Sequence, residues 1–170
     1  MEYLILIFEF FYTREKRNYF SLLVIPTIVA LIIYYCSGNE NLSKNIYDYN
    51  SNLLTVLGIL LGFTISVTTL LLAIDNDNIK AAKLVQSEKI LYKKTVSLYD
   101  TILYALSYLI IIQGFLLIAN FIYPILISLN SHLGKILFSI NIGFIIHVIL
   151  LLMRSILDFY FIITAKKNKK

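Results

Sequence analysis

Tryptophan is absent from these 170 residues, cysteine occurs once and histidine twice. A lone cysteine, Cys36, excludes an intrachain disulfide framework. His132, His147 and the distant Cys36 lack the spacing of a zinc site. There is no Walker phosphate loop, no Rossmann glycine fingerprint and no G-x-S-x-G elbow, so nucleotide hydrolysis, dinucleotide redox chemistry and α/β-hydrolase chemistry find no support. Charge is scarce as well: 15% of residues are charged and 59% are hydrophobic, where soluble domains carry about 25% charged residues. The length allows one domain, 1–170, without a separate soluble catalytic domain. The expectation is an all-α polytopic membrane protein that is not an enzyme and uses no cofactor or metal.

What the chain does contain is long apolar runs. The uncharged stretch 53–74, LLTVLGILLGFTISVTTLLLAI, is long enough to cross a hydrocarbon core of about 30 Å as a helix. Gly58, Gly62 and Ser66 recur every fourth residue within it, so they share a face that lets another backbone come close. Segments 19–36, 101–129 and 136–165 complete four predicted transmembrane helices. Residues 1–18 read as a short interfacial helix, MEYLILIFEFFY, followed by a basic linker. This start carries Glu2 and Glu9 instead of the basic residues of a signal peptide.

Basic residues set the orientation. Twelve lie on one side: Arg14, Lys16 and Arg17, then Lys80, Lys83, Lys89, Lys93 and Lys94, then Lys166, Lys167, Lys169 and Lys170. Two, Lys44 and Lys135, lie on the other. The positive-inside rule then places both termini and the 75–100 connection in the cytoplasm of a cell whose inner membrane holds the protein. The polar stretch 37–52 reads as an outer loop. After the second span, Asp77 or Asn78 is expected to cap a helix, and Ile79, Ala82, Val85 and Leu91 space as one, giving a basic helical loop. Its five lysines suit lipid headgroups or an acidic partner surface, with no direct nucleic-acid contact expected.

Polar residues inside the spans are the candidate functional groups. Gln113 and Asn120 are seven residues apart and share a helical face, either as glue between helices or as a polar lining. His147 falls near the middle of the last span, where an ionisable group is a functional-site candidate. Arg154 and Asp158, at i and i+4, can pair near the inner boundary. Pro26 removes a backbone donor within the first span and is expected to kink it.

The segment order resembles the small four-helix membrane proteins of bacterial anti-phage systems. That order is a basic inner start, a polar outer stretch, a second span rich in small and hydroxyl residues, a basic inner loop and two long spans. The YALS run at 104–107 and the 144–147 stretch are the short matches to the RexB-type phage-exclusion and Kiwa-type membrane subunits. The resemblance implies a defence role: ion passage that depolarises the membrane, or sensing of infection together with a cytoplasmic partner. A bundle of four helices encloses no aqueous pore, so conduction implies a homo-oligomer. Recruitment of a cytoplasmic effector and holin-like lysis are the alternatives.

Overall fold

A computed structural model describes residues 2–13, 20–36, 39–129 and 131–164. The basic linker Arg14, Lys16 and Arg17 and the lysines from Lys166 to Lys170 lie outside the described residues. The elements are α1 (Glu2–Thr13), a π-helical turn (Phe20–Val24), α2 (Ile25–Cys36), α3 (Asn39–Ala73), α4 (Asp77–Leu84), β1 (Gln86–Leu91), β2 (Lys94–Ser97), α5 (Leu98–Leu129) and α6 (Ser131–Thr164). Three stretches are long and apolar enough to cross a membrane: Tyr49–Ala73, Leu98–Ile125 and Leu133–Thr164. Ser21–Cys36 is a shorter apolar helix, below the roughly 20 residues of a straight crossing.

Three sequence expectations need correction. The stretch 37–52 is no loop beyond residue 38, because α3 already begins at Asn39 and runs unbroken to Ala73. Polar residues are no obstacle to a helix that continues past an apolar span, since its backbone bonds are closed internally. The 75–100 connection is helical only over Asp77–Leu84 and then folds into an antiparallel hairpin. Asn76, rather than Asp77 or Asn78, is the N-cap: its side chain accepts the Ile79 N–H at 2.8 Å. Asn78 instead donates to the Ile163 carbonyl at 2.7 Å, covering a backbone acceptor in the last turn of α6.

The hairpin turns through Tyr92 (φ 50°) and Lys93 (φ 65°), the left-handed pair of a two-residue turn that asparagine and glycine favour. Lys93→Gly should therefore tighten it, by about 0.5–1 kcal/mol, read as slower amide exchange across the Leu91–Lys94 pair. Ser97 closes the hairpin and starts α5. Its hydroxyl accepts the Asp100 N–H at 3.1 Å, and Asp100 accepts the Ser97 N–H at 3.0 Å, a reciprocal cap.

α1 does not lie on lipid alone. Glu9, Phe10 and Thr13 are buried, and Phe10 stacks on Tyr108 of α5 with centroids 4.2 Å apart. Leu4, Ile5, Phe8 and Tyr12 stay exposed on the opposite side. The hairpin grips the same helix: Lys89 Nζ donates to the Tyr12 carbonyl at 2.7 Å. The Tyr92 phenol is held above its ordinary pKa, first by a hydrogen bond to Glu9.

The core is the seam shared by α3, α5 and α6. On α3 the inward positions are Leu53, Leu57, Leu60, Thr64, Val67 and Leu71, alternating by four and three. α5 supplies Ile102, Leu106, Leu109, Gln113, Leu116 and Asn120 with the same alternation, and α6 supplies Ile145, Val148, Leu152, Ser155, Phe159 and Ile162. Such spacing produces a left-handed, coiled-coil-like packing of antiparallel helices.

Candidate functional site

Two separate groups of buried polar side chains stand out. The first centres on His147. Pro26 has no N–H, and in an α register the carbonyl that loses its donor is Leu22, which here sits in the π-helical turn Phe20–Val24. His147 Nδ1 lies 2.7 Å from that Leu22 oxygen, and His147 Nε2 lies 3.1 Å from the Tyr108 hydroxyl. A carbonyl only accepts, so Nδ1 carries the proton. In the neutral ring Nε2 is then the acceptor, and Tyr108 donates to it. The imidazole thus covers a carbonyl in the π-helical turn that leads into α2 and ties that turn to α5 from α6. Gly143, one turn from His147, allows the approach: a Cβ there would sit 3.2 Å from the Pro26 oxygen and 3.1 Å from the Ala30 Cβ.

The second group is a layer of three asparagines, one per long helix. Asn120 Nδ2 and Asn141 Nδ2 each donate to the other's side-chain oxygen, at 3.2 and 2.6 Å. Asn50 Nδ2 donates to the Asn120 backbone oxygen at 2.9 Å. Together they lock the register of α3, α5 and α6, as a buried asparagine does in coiled coils. Asn120→Leu strands the Asn141 amide and should cost about 1–3 kcal/mol, whereas Asn120→Leu with Asn141→Leu should cost much less, because no amide is then left unpaired between them. Unfolding of both variants in the same micelles gives the comparison.

Gln113 lies between these groups and belongs to neither. It is fully buried, and both its Oε1 and Nε2 lack a hydrogen-bond partner. Asn50 Oδ1 and Ser155 Oγ are buried and unpartnered too. The structure therefore separates residues that the sequence joins: Gln113 and Asn120 share the α3–α5–α6 seam, while His147 faces α2 and Tyr108.

Arg154 and Asp158 are elsewhere again. They line a cleft of about 620 Å³ together with Thr13, Glu88, Lys89 and Thr101, at the end of the bundle that carries the hairpin. Arg154 Nε is buried there without a partner. Of the five loop lysines, Lys80 pairs with Asp75 at 3.2 Å, Lys83 sits 4.7 Å above the Tyr99 ring and Lys89 holds α1. Lys93 and Lys94 are exposed at the hairpin tip.

Gly58, Gly62 and Ser66 face outwards. A Cβ added at Gly58 or Gly62 would meet nothing within 4 Å, so among the described residues no helix packs on this face at these two positions. Ser51, Thr55 and Thr69 extend it, all exposed, along most of the α3 span.

Sequence reasoning missed Tyr108, Asn50, Gly143 and Ser155. The usable signal was the alternation by three and four, which places Asn50, Asn120 and Asn141 at equivalent seam positions. No metal-binding group of His, Cys, Asp or Glu occurs among the described residues. Comparison with protein-family models, with curated proteins and with solved structures finds no match.

Proposed function

We propose that the chain is an oligomeric inner-membrane component of a bacterial anti-phage system that senses infection or answers it by passing ions and depolarising the membrane. In this reading 19–36 is the fourth crossing and both termini are cytoplasmic, in keeping with the twelve-to-two division of basic residues. The defence role follows from the resemblance to RexB-type and Kiwa-type subunits. Self-association follows from the bare small-residue face of α3.

The observation that carries the ion-conducting side is Gln113. A fully buried amide with neither atom paired, near the middle of Leu98–Ile125, costs the fold about 1–3 kcal/mol or more. A purely structural helix would hold leucine there. The hairpin supports a second reading: it projects Lys93 and Lys94 and holds α1, a suitable dock for a cytoplasmic effector.

Membrane potential, followed with a voltage-sensitive dye in cells expressing the full chain, separates these readings. Depolarisation that needs phage supports the ion-conducting effector. Depolarisation without phage points to holin-like lysis. A constant potential in cells that are nonetheless protected sinks conduction and favours the sensor or scaffold, whose soluble partner a pull-down would then recover.

A further inference from the structure

Helix register places four of the five buried unpartnered side-chain atoms among the described residues on one line; the fifth, Arg154 Nε, lies in the cleft at the hairpin end. The asparagine layer is Asn50, Asn120 and Asn141. One heptad towards the hairpin end, the equivalent seam positions are Leu57, Gln113 and Val148, all fully buried. A further heptad gives Thr64, Leu106 and Ser155, again fully buried. Each step is about 10 Å along the axis. Buried unpartnered atoms occur at all three levels: Asn50 Oδ1, both Gln113 atoms and Ser155 Oγ. Between the levels lie two apolar layers, Leu53, Leu116 and Ile145, then Leu60, Leu109 and Leu152.

We propose that this seam is the ion path of each protomer, shut in the present state by the two apolar layers, and that it takes a small monovalent cation. The oligomer then supports the protomers and does not itself enclose the pore, which replaces the expectation from bundle width that conduction runs between protomers. The proposal deepens the ion-conducting reading above and stands on it.

Chemistry selects the ion. In the asparagine layer every amide nitrogen already donates: Asn50 to the Asn120 carbonyl, Asn120 to the Leu116 carbonyl and Asn141, and Asn141 back to Asn120. The atom left over is an oxygen, Asn50 Oδ1. Gln113 Oε1 and Ser155 Oγ continue the series, and Thr64 Oγ1, which donates to the Leu60 carbonyl at 2.8 Å, adds only its lone pairs. Neutral oxygens at this spacing can replace part of a monovalent ion's hydration shell. Without a carboxylate in the seam they do not hold a divalent ion.

The moving part is α3. Only 17% of its most apolar window is buried, against 39% and 44% for the spans of α5 and α6. Tilting α3 outwards parts the apolar layers and lets water reach Gln113. Apolar constrictions of this kind gate by wetting and drying.

The test uses the purified full-length chain in vesicles of phosphatidylethanolamine and phosphatidylglycerol. Sodium entry is read with a dye under an inside-negative potential set by potassium and valinomycin. Gln113→Leu should lower the flux at least about tenfold, and Leu109→Ser should raise it by a similar factor, because one removes a polar step and the other wets a gate. Leu60→Ser, at the Leu109 level where the α3 side chain is only partly buried, repeats the gate test should Leu109→Ser fail to fold. Ile118→Leu, on the exposed face of α5, should leave the flux unchanged. A silent wild type with conducting gate variants, silenced again by Gln113→Leu, also supports the path. A conducting wild type that all the seam variants match overturns the path and leaves conduction standing. A wild type and gate variants that are all silent overturn both.

Discussion

Replacing His147 with leucine is expected to remove about 2–6 kcal/mol of stability, since it strands two buried groups at about 1–3 kcal/mol each. One is the Leu22 carbonyl, 2.7 Å from Nδ1, and the other is the Tyr108 hydroxyl, 3.1 Å from Nε2. The sharper expectation concerns Pro26. Pro26→Ala restores the N–H that the Leu22 carbonyl otherwise lacks, so His147→Leu should cost less in that background by about 1–2 kcal/mol. Adding Tyr108→Phe should remove most of the remainder. Unfolding by steric trapping or by denaturing detergent would report the wild type, both single variants, the double variant and the triple variant on one scale. Equal costs for His147→Leu with and without Pro26 would mean that the imidazole does not repair the helix.

Gly62→Leu should abolish self-association while leaving the protomer intact. Nothing lies within 4 Å of a Cβ at this position, so the larger side chain meets no neighbour inside the protomer. In an oligomer built on the α3 face it would hold the backbones apart and remove the close contact that drives association in lipid. The shift in the monomer–oligomer equilibrium should be at least about tenfold, or 1.4 kcal/mol, read by crosslinking or by mass photometry in nanodiscs. Ile59→Leu, on a neighbouring exposed position, is the control that should change nothing. An oligomer that survives Gly62→Leu must be built on another face.

Much of this architecture was legible in the chain. The uncharged run 53–74 lies within α3 but for Ile74, and 101–129 lies within α5, because length and apolar content decide a span almost by themselves. The 136–165 segment agrees with α6 up to its described end at Thr164. Two boundaries were not legible. Asn50 sat in a stretch read as a loop, and only the continuous α3 brings it opposite Asn120. The hairpin was hidden because Ile79, Ala82 and Val85 carry a helical spacing up to its first strand, while its turn uses Tyr92 and Lys93 where asparagine and glycine are the usual signal. In the site, the depth of His147 could be read from position, but its partners could not. Tyr108 and Leu22 come from other helices, and no local pattern names them. Gln113 and Asn120 were recognised as one face; their separation from His147 follows from which neighbours each helix face acquires.

The Leu22–His147 contact also sets an order of events during synthesis. The two residues are 125 positions apart. At about 5–20 residues per second, a ribosome makes His147 on the order of ten seconds after Leu22. Throughout that interval the Leu22 carbonyl is without the imidazole that holds it in the finished fold. The docking of α2 is therefore a late step that has to follow the synthesis of α6. A helix made late completes one made early.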